Sequence, residues 1–258
     1  MVTQGLVALL AALTVMGVTA AVSRRLDRVA VVDVAWGSAF VAIALVLALV
    51  WPDAHSGLLA VLVTVWGGRL AWHIARRSKG HGEDPRYEAM LGGPGWHAGA
   101  ATVLVRVFLT QALVAWVISF PLQVAAAYDV RWWPVVWVGV AVWAVGIVFE
   151  VVGDAQLSAY RSRPRDQRPP VLDTGLWAWT RHPNYFGDAC VWWGLWIAGA
   201  LSLGWLPGVL TVFAPIAMTY FIRNVTGARL LEKTMSQRPG WDEYAARVPL
   251  FLPRPPRG

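Results

Sequence analysis

Residues 29–51 read VAVVDVAWGSAFVAIALVLALVW, an unbroken apolar run whose single ionisable side chain is Asp33. At about 1.5 Å of rise per residue, a helix of this length crosses the ~30 Å hydrocarbon core of a bilayer. In that core every backbone N–H and C=O must be satisfied within the segment, so an isolated run of this kind is a helix and not a strand. Six further apolar runs, at 6–21, 58–74, 101–122, 134–152, 185–201 and 205–222, take up most of the remaining chain. Of the 258 residues 57% are hydrophobic and 14% charged, against about 25% charged in an ordinary soluble domain. The expected fold is all-α, a polytopic membrane protein with a single domain of seven transmembrane helices over 1–258. No hydrophilic stretch is long enough for a separate soluble domain, and no internal repeat is evident.

The first run has no basic residue before it, and Arg24 and Arg25 follow it, so it is expected to be a retained helix and not a cleaved signal peptide. Basic residues then set the orientation. They crowd alternate connections: Arg24, Arg25 and Arg28 after the first run; Arg76, Arg77, Lys79 and Arg86 after the third; Arg161, Arg163, Arg165, Arg168 and Arg181 after the fifth; and seven more in the tail. The opposite connections hold Arg131 alone. The positive-inside rule then places the N-terminus outside and the C-terminus in the cytosol. The expected location is a cell membrane, crossed several times. The net charge of +7 is explained by this bias and suits anionic lipid headgroups; with no soluble basic module, nucleic-acid binding is excluded. The single Cys190 excludes an intrachain disulfide, and no Cys/His cluster has metal-ligand spacing. Most of the 17 tryptophans are accounted for as interfacial anchors.

Ionisable groups inside membrane helices are costly and therefore mark function. In this orientation they gather at the cytosolic level: Asp33 in the second run, His73 at the end of the third, Glu150 and Asp154 at the end of the fifth, and the knot RHPNYFGD, residues 181–188, opening the sixth. Glu150, Asp154 and Arg161 fall on one helical stripe, as do Asn184 and Asp188. Pro183 suits a first helical turn, which puts Arg181 or His182 at the cap. Free N–H groups and the positive end of the dipole make such a helix start, beside Arg181 and the arginines at 161–168, a candidate phosphate site.

GIVFEVVGDAQLSAYR, VLDTGLWAWTRHPNYFGD and LLEKTMSQRPGWDEYAARVPLFLP together resemble the C-terminal half of the steroid 5-alpha-reductase and sterol-reductase superfamily. With VVDVAWG and RLAWHIARRSKGHGEDPRY, the whole chain is most similar to a bacterial branch of that superfamily whose function is unassigned. The resemblance implies a seven-helix reductase, with 1–125 as a substrate-side half and 130–258 as a half that binds NADPH from the cytosol. By position, Asp154 and Arg161 match an Asp and an Arg of the steroid reductases, whereas Glu150 stands where they have Asn. Asn184, Tyr185 and Asp188 match a cluster near the nicotinamide and its ribose; Arg181, His182 and the tail residue Glu232 complete the implied cofactor set. Those enzymes hold the enone oxygen with a Glu and a Tyr, whose nearest equivalents by placement are Asp33 and His73.

Reduction of a conjugated C=C bond needs hydride at the β carbon and a donor at the carbonyl oxygen. Asp33, kept protonated by an apolar cavity, is the first candidate donor, with His73 and Tyr185 able to share the role. The substrate class is a lipophilic steroid-like, isoprenoid or fatty enone. Isoprenylcysteine methyltransferases, which bind S-adenosylmethionine, carry a similar Arg-His-Pro-x-Tyr-x-Gly motif, but their tails show a Glu pair where this chain has Glu232 and Lys233. A non-enzymatic lipid-binding or transport protein is the third class; it predicts a polar path to the outer leaflet, where the helices carry almost no charge.

Overall fold

The structure, a computed structural model, describes residues 1–225 and 227–256. Seven helices are long and apolar enough to cross a membrane: α1 (Val2–Leu26), α2 (Val31–Val50), α3 (Ala54–Ser78), α5 (Ala100–Ile118), α7 (Trp133–Ser162), α8 (Pro183–Leu203) and α9 (Trp205–Val225). Four short helices lie outside these spans: α4 (Pro85–Leu91), α6 (Phe120–Ala125), α10 (Ala228–Met235) and α11 (Trp241–Arg247). No β-strand occurs among the described residues. The protein is all-α and multi-pass in character.

Each apolar run lies on one of the seven helices, but the ends differ. The run at 134–152 belongs to a helix that continues to Ser162, because hydropathy tracks the hydrocarbon while the hydrogen-bond ladder carries on through polar residues such as Asp154 and Arg161. The run at 101–122 is broken at Ser119, since Pro121 has no N–H to donate and sits in the first turn of a new helix, α6.

The chain forms two compact units, one of residues 1–133 with 199–211, the other of residues 134–198 with 212 onward. In the first, α1 buries Ala8, Ala12, Met16 and Ala20, one residue per turn. Helices α2 and α3 meet backbone to backbone: a Cβ on Gly37 would lie 2.5 Å from the Gly67 carbonyl oxygen, so only glycine fits. Beside this crossing Phe40 and Trp66, both fully buried, pack edge to face at 5.8 Å.

In the second unit, Gly139, Gly146 and Gly153 recur every seven residues along α7 and face α8. A Cβ on Gly146 would stand 2.6 Å from the Gly187 carbonyl oxygen, and one on Gly194 2.5 Å from the Trp143 nitrogen. This close approach puts polar side chains of the two helices within reach of each other. The tail adds a separate core, Trp241, Tyr244 and Val248, packed with Val171, Met235 and Ala245.

Candidate functional site

Each unit carries a cluster of polar side chains that includes expected site residues. In the second unit, Glu150 is buried on α7 and Asp154 follows one turn later. From the first turn of α8, Asn184 donates its Nδ2 to Asp154 Oδ1 at 3.2 Å, and its Oδ1 accepts the Tyr185 N–H at 3.1 Å. Gly153 between the two acids makes room: a Cβ there would sit 3.2 Å from Pro183 Cγ, while its carbonyl accepts Trp177 Nε1 at 3.1 Å. A Cβ on Gly187 would lie 2.9 Å from Glu150 Cγ, so the Glu150 side chain lies against α8 at the residue before half-buried Asp188.

Helix α8 begins at Pro183, with Arg181 and His182 at its entry as expected. His182 is buried, stacks on Tyr185 at 5.5 Å, and places Nε2 3.3 Å from Glu232 Oε1. Arg181 binds the same carboxylate, Nε to Oε1 at 2.6 Å and Nη2 to Oε2 at 3.2 Å, and its Nη1 donates to the carbonyls of Ala245 and Val248, each at 2.9 Å. Burial alone would raise the Glu232 pKa, but the bonds from His182 and Arg181 and the Arg181 charge outweigh it and hold the carboxyl below its ordinary value. Further bonds lace this entry to the tail: Thr180 Oγ1 donates to the Phe251 carbonyl at 2.9 Å, Arg181 N–H to that of Pro249 at 2.9 Å, and the Tyr244 hydroxyl to that of Trp177 at 2.7 Å.

The expected cofactor residues thus fall into two linked groups, Asp154–Asn184–Tyr185 and Arg181–His182–Glu232, joined by the Tyr185–His182 stack. In this arrangement the Arg181 guanidinium serves the tail instead of standing open to a phosphate, with its side chain only 13% exposed. Arg161, by contrast, is exposed at the end of α7.

In the first unit, Asp33 sits in the first turn of α2 and takes two donors from α4: the Tyr87 hydroxyl at 2.6 Å on Oδ1 and Arg86 Nη2 at 2.8 Å on Oδ2. The stretch EDPR explains how they arrive. Glu83 accepts the free N–H groups of Val29 and Ala30 at the entry to α2, at 2.5 and 2.8 Å, and the Asp84 N–H at 3.0 Å. Asp84 caps α4 through the Arg86 N–H at 2.9 Å, with Pro85 in its first turn, and also binds the Arg86 side chain. Burial and the Asp33 charge raise the Tyr87 pKa well above the ordinary phenol value, keeping its proton in place; hydrogen bonds and charge from Arg86 outweigh burial and lower that of Asp84.

Tyr87 and Arg86 are thus the side chains set on Asp33, while His73 is half-buried on α3. Glu83, Arg86 and Tyr87 are absent from the expected site set. Asp-Pro-Arg-Tyr carries a cap signal, yet nothing local shows that its side chains turn toward a residue more than fifty positions earlier.

The family model described as a protein of unknown function, DUF1295, matches residues 19–248. The chain belongs to this family. The match takes in both polar groups. An uncharacterised protein of Schizosaccharomyces pombe, C594.04c, is 31% identical over 86 residues, which are 31% of this chain; the chain covers only 23% of that protein's length. No solved structure matches.

Proposed function

We propose that this protein is a membrane-embedded, NADPH-dependent reductase of a carbon–carbon double bond in a lipophilic steroid-like or isoprenoid enone. The observation that carries this reading is the neutral Tyr87 phenol held on Asp33. Hydride arriving at the β carbon of an enone drives charge onto the carbonyl oxygen, and a positioned donor there lowers the barrier. Methyl transfer to a carboxylate needs no such donor.

In this reading the substrate carbonyl oxygen replaces Asp33 Oδ1 as acceptor of the Tyr87 hydroxyl and takes its proton as hydride arrives, leaving an enol that tautomerises to the saturated ketone; water restores the phenol. Asp33, itself fixed by Arg86, orients Tyr87. The second unit supplies hydrogen-bonding groups of the type that hold a carboxamide and a ribose: Asn184, Tyr185, Asp188, Asp154 and Glu150. Exposed Arg161 and its neighbours supply charge for a 2′-phosphate. NADPH, when bound, furnishes the hydride and is oxidised to NADP⁺. The reading places this cofactor site on the cytosolic side of a bacterial inner membrane.

Thermal unfolding of the detergent-purified protein with NADPH, NADH and S-adenosylmethionine in parallel tests it. Stabilisation by NADPH above NADH is expected. Stabilisation by S-adenosylmethionine alone transfers the function to methyl transfer, and none by any of the three removes the enzymatic reading.

A further inference from the structure

Arg106 lies within the spanning helix α5, on a six-residue π-helical segment, Leu104–Leu109. Its carbonyl ladder is re-registered at Thr110, whose N–H and hydroxyl both reach the Val105 carbonyl, the hydroxyl at 2.9 Å. The extra residue of the π turn lets Val103 before it, Val107 and Phe108 within it, and Ala112 and Ala115 after it all face inward. Arg106 is left on the outer surface among Leu104, Val105, Leu109 and Leu113, each at least 40% exposed. That surface is what hydrocarbon would cover. Among the described residues Arg106 makes no hydrogen bond or ion pair.

A guanidinium facing lipid without a partner costs several kcal/mol. Its stem, however, allows a particular escape. Side chains on a helix lean toward the N-terminus, so Arg106 reaches from about 9 Å inside Ala100 back toward the start of α5. The interface at that end is marked by Trp96, which stacks on Phe108 at 5.9 Å, donates Nε1 to Ser23 at 3.1 Å, and carries Arg24 over its ring at 5.7 Å. The basic end of α1 and the π segment thus share one interfacial aromatic.

We propose that Arg106 holds the phosphate of an anionic phospholipid whose acyl chains lie along the exposed face of α5, with Arg24 adding charge at the headgroup. The planar fork matches a phosphate bidentately, and the apolar surroundings exclude competing water. The π turn is what aims the arginine outward.

Native mass spectrometry of the protein with added phosphatidylglycerol or phosphatidylcholine tests this, with thermal unfolding alongside. Wild type is expected to retain phosphatidylglycerol and to be stabilised by it more than by phosphatidylcholine or inorganic phosphate. Arg106→Gln should weaken retention at least tenfold, whereas Arg238→Gln, at an exposed arginine of the tail, should leave it unchanged. Retention by Arg106→Gln equal to wild type overturns the proposal. So does equal stabilisation of wild type by the two phospholipids, or by inorganic phosphate alone, and these readings do not depend on the variant folding. An acidic protein co-purifying in place of lipid and lost with Arg106→Gln would reassign the arginine to a protein partner.

Discussion

The Tyr87 hydroxyl lies 2.6 Å from Asp33 Oδ1 while Arg86 Nη2 lies 2.8 Å from Oδ2. One carboxylate from the start of α2 thus organises two side chains of α4. Removing either donor leaves a different remainder, so the variants separate packing from chemistry.

Tyr87→Phe keeps the ring and removes only the proton, and it should cost about 1–3 kcal/mol of stability for a hydrogen bond to a charged group. If Tyr87 donates to the carbonyl, enone turnover should fall roughly 100-fold or more with NADPH stabilisation intact. A folded Tyr87→Phe protein with full turnover would show that the pair is a staple between α2 and α4. Asp33→Asn, which misorients Tyr87 and releases Arg86, should lower turnover too, again without loss of cofactor binding.

On the cofactor side, Asn184→Ala breaks the bond to Asp154, and Asp188→Ala removes a second polar group one turn on. Each should weaken NADPH binding by about 1–3 kcal/mol, the scale of one or two desolvated hydrogen bonds. Titration of folded variants checks this; wild-type affinity in both would make the start of α8 a helix cap and nothing more.

Glu83 holds the N–H groups of Val29 and Ala30, both buried. Glu83→Ala strands these donors and should lower stability by about 1–3 kcal/mol, seen as a lower melting temperature in detergent. Met90→Ala, at an exposed position of α4, is the control and should change little.

Glu232 titrates below its ordinary value of 4.5 in the folded protein. Its contribution is therefore present above the unfolded pKa and is lost as pH falls from 4.5 through the depressed folded value. Hydrogen exchange at the Arg181 amide, bonded to the Pro249 carbonyl, should accelerate beyond its intrinsic pH dependence across that acid window. Glu232→Gln should show faster exchange already at neutral pH. Equal protection in variant and wild type would mean that the backbone bonds hold the tail without the carboxylate.

Gly146→Ala drives a methyl group to 2.6 Å from the Gly187 carbonyl oxygen and 2.7 Å from the Val191 nitrogen. Backbone cannot yield cheaply, so a loss of about 1–3 kcal/mol or more is expected. Gly17→Ala on α1, where a Cβ meets nothing within 4 Å, should be neutral or stabilising by up to about 1 kcal/mol. Thermal unfolding of the two variants side by side decides whether the glycine stripe of α7 sets the helix spacing.

The seven spans were legible from residues alone, because hydrocarbon imposes a length and a composition on each helix separately. The start of α8 was legible for a similar reason: Pro183 and the polar knot before it are local signals. What Arg181 and Asp33 bind was not. Arg181 meets Glu232 fifty-one positions away, and Asp33 meets Tyr87 fifty-four positions away. Charge runs and motif spacing describe neighbours along the chain, whereas a guanidinium or carboxylate takes whichever partner the packed backbone brings within about 3 Å. Sequence therefore determined the number of helices and which residues carry charge; the packing of glycine against glycine and the caps built by Glu83 and Asp84 decided which of those charges meet.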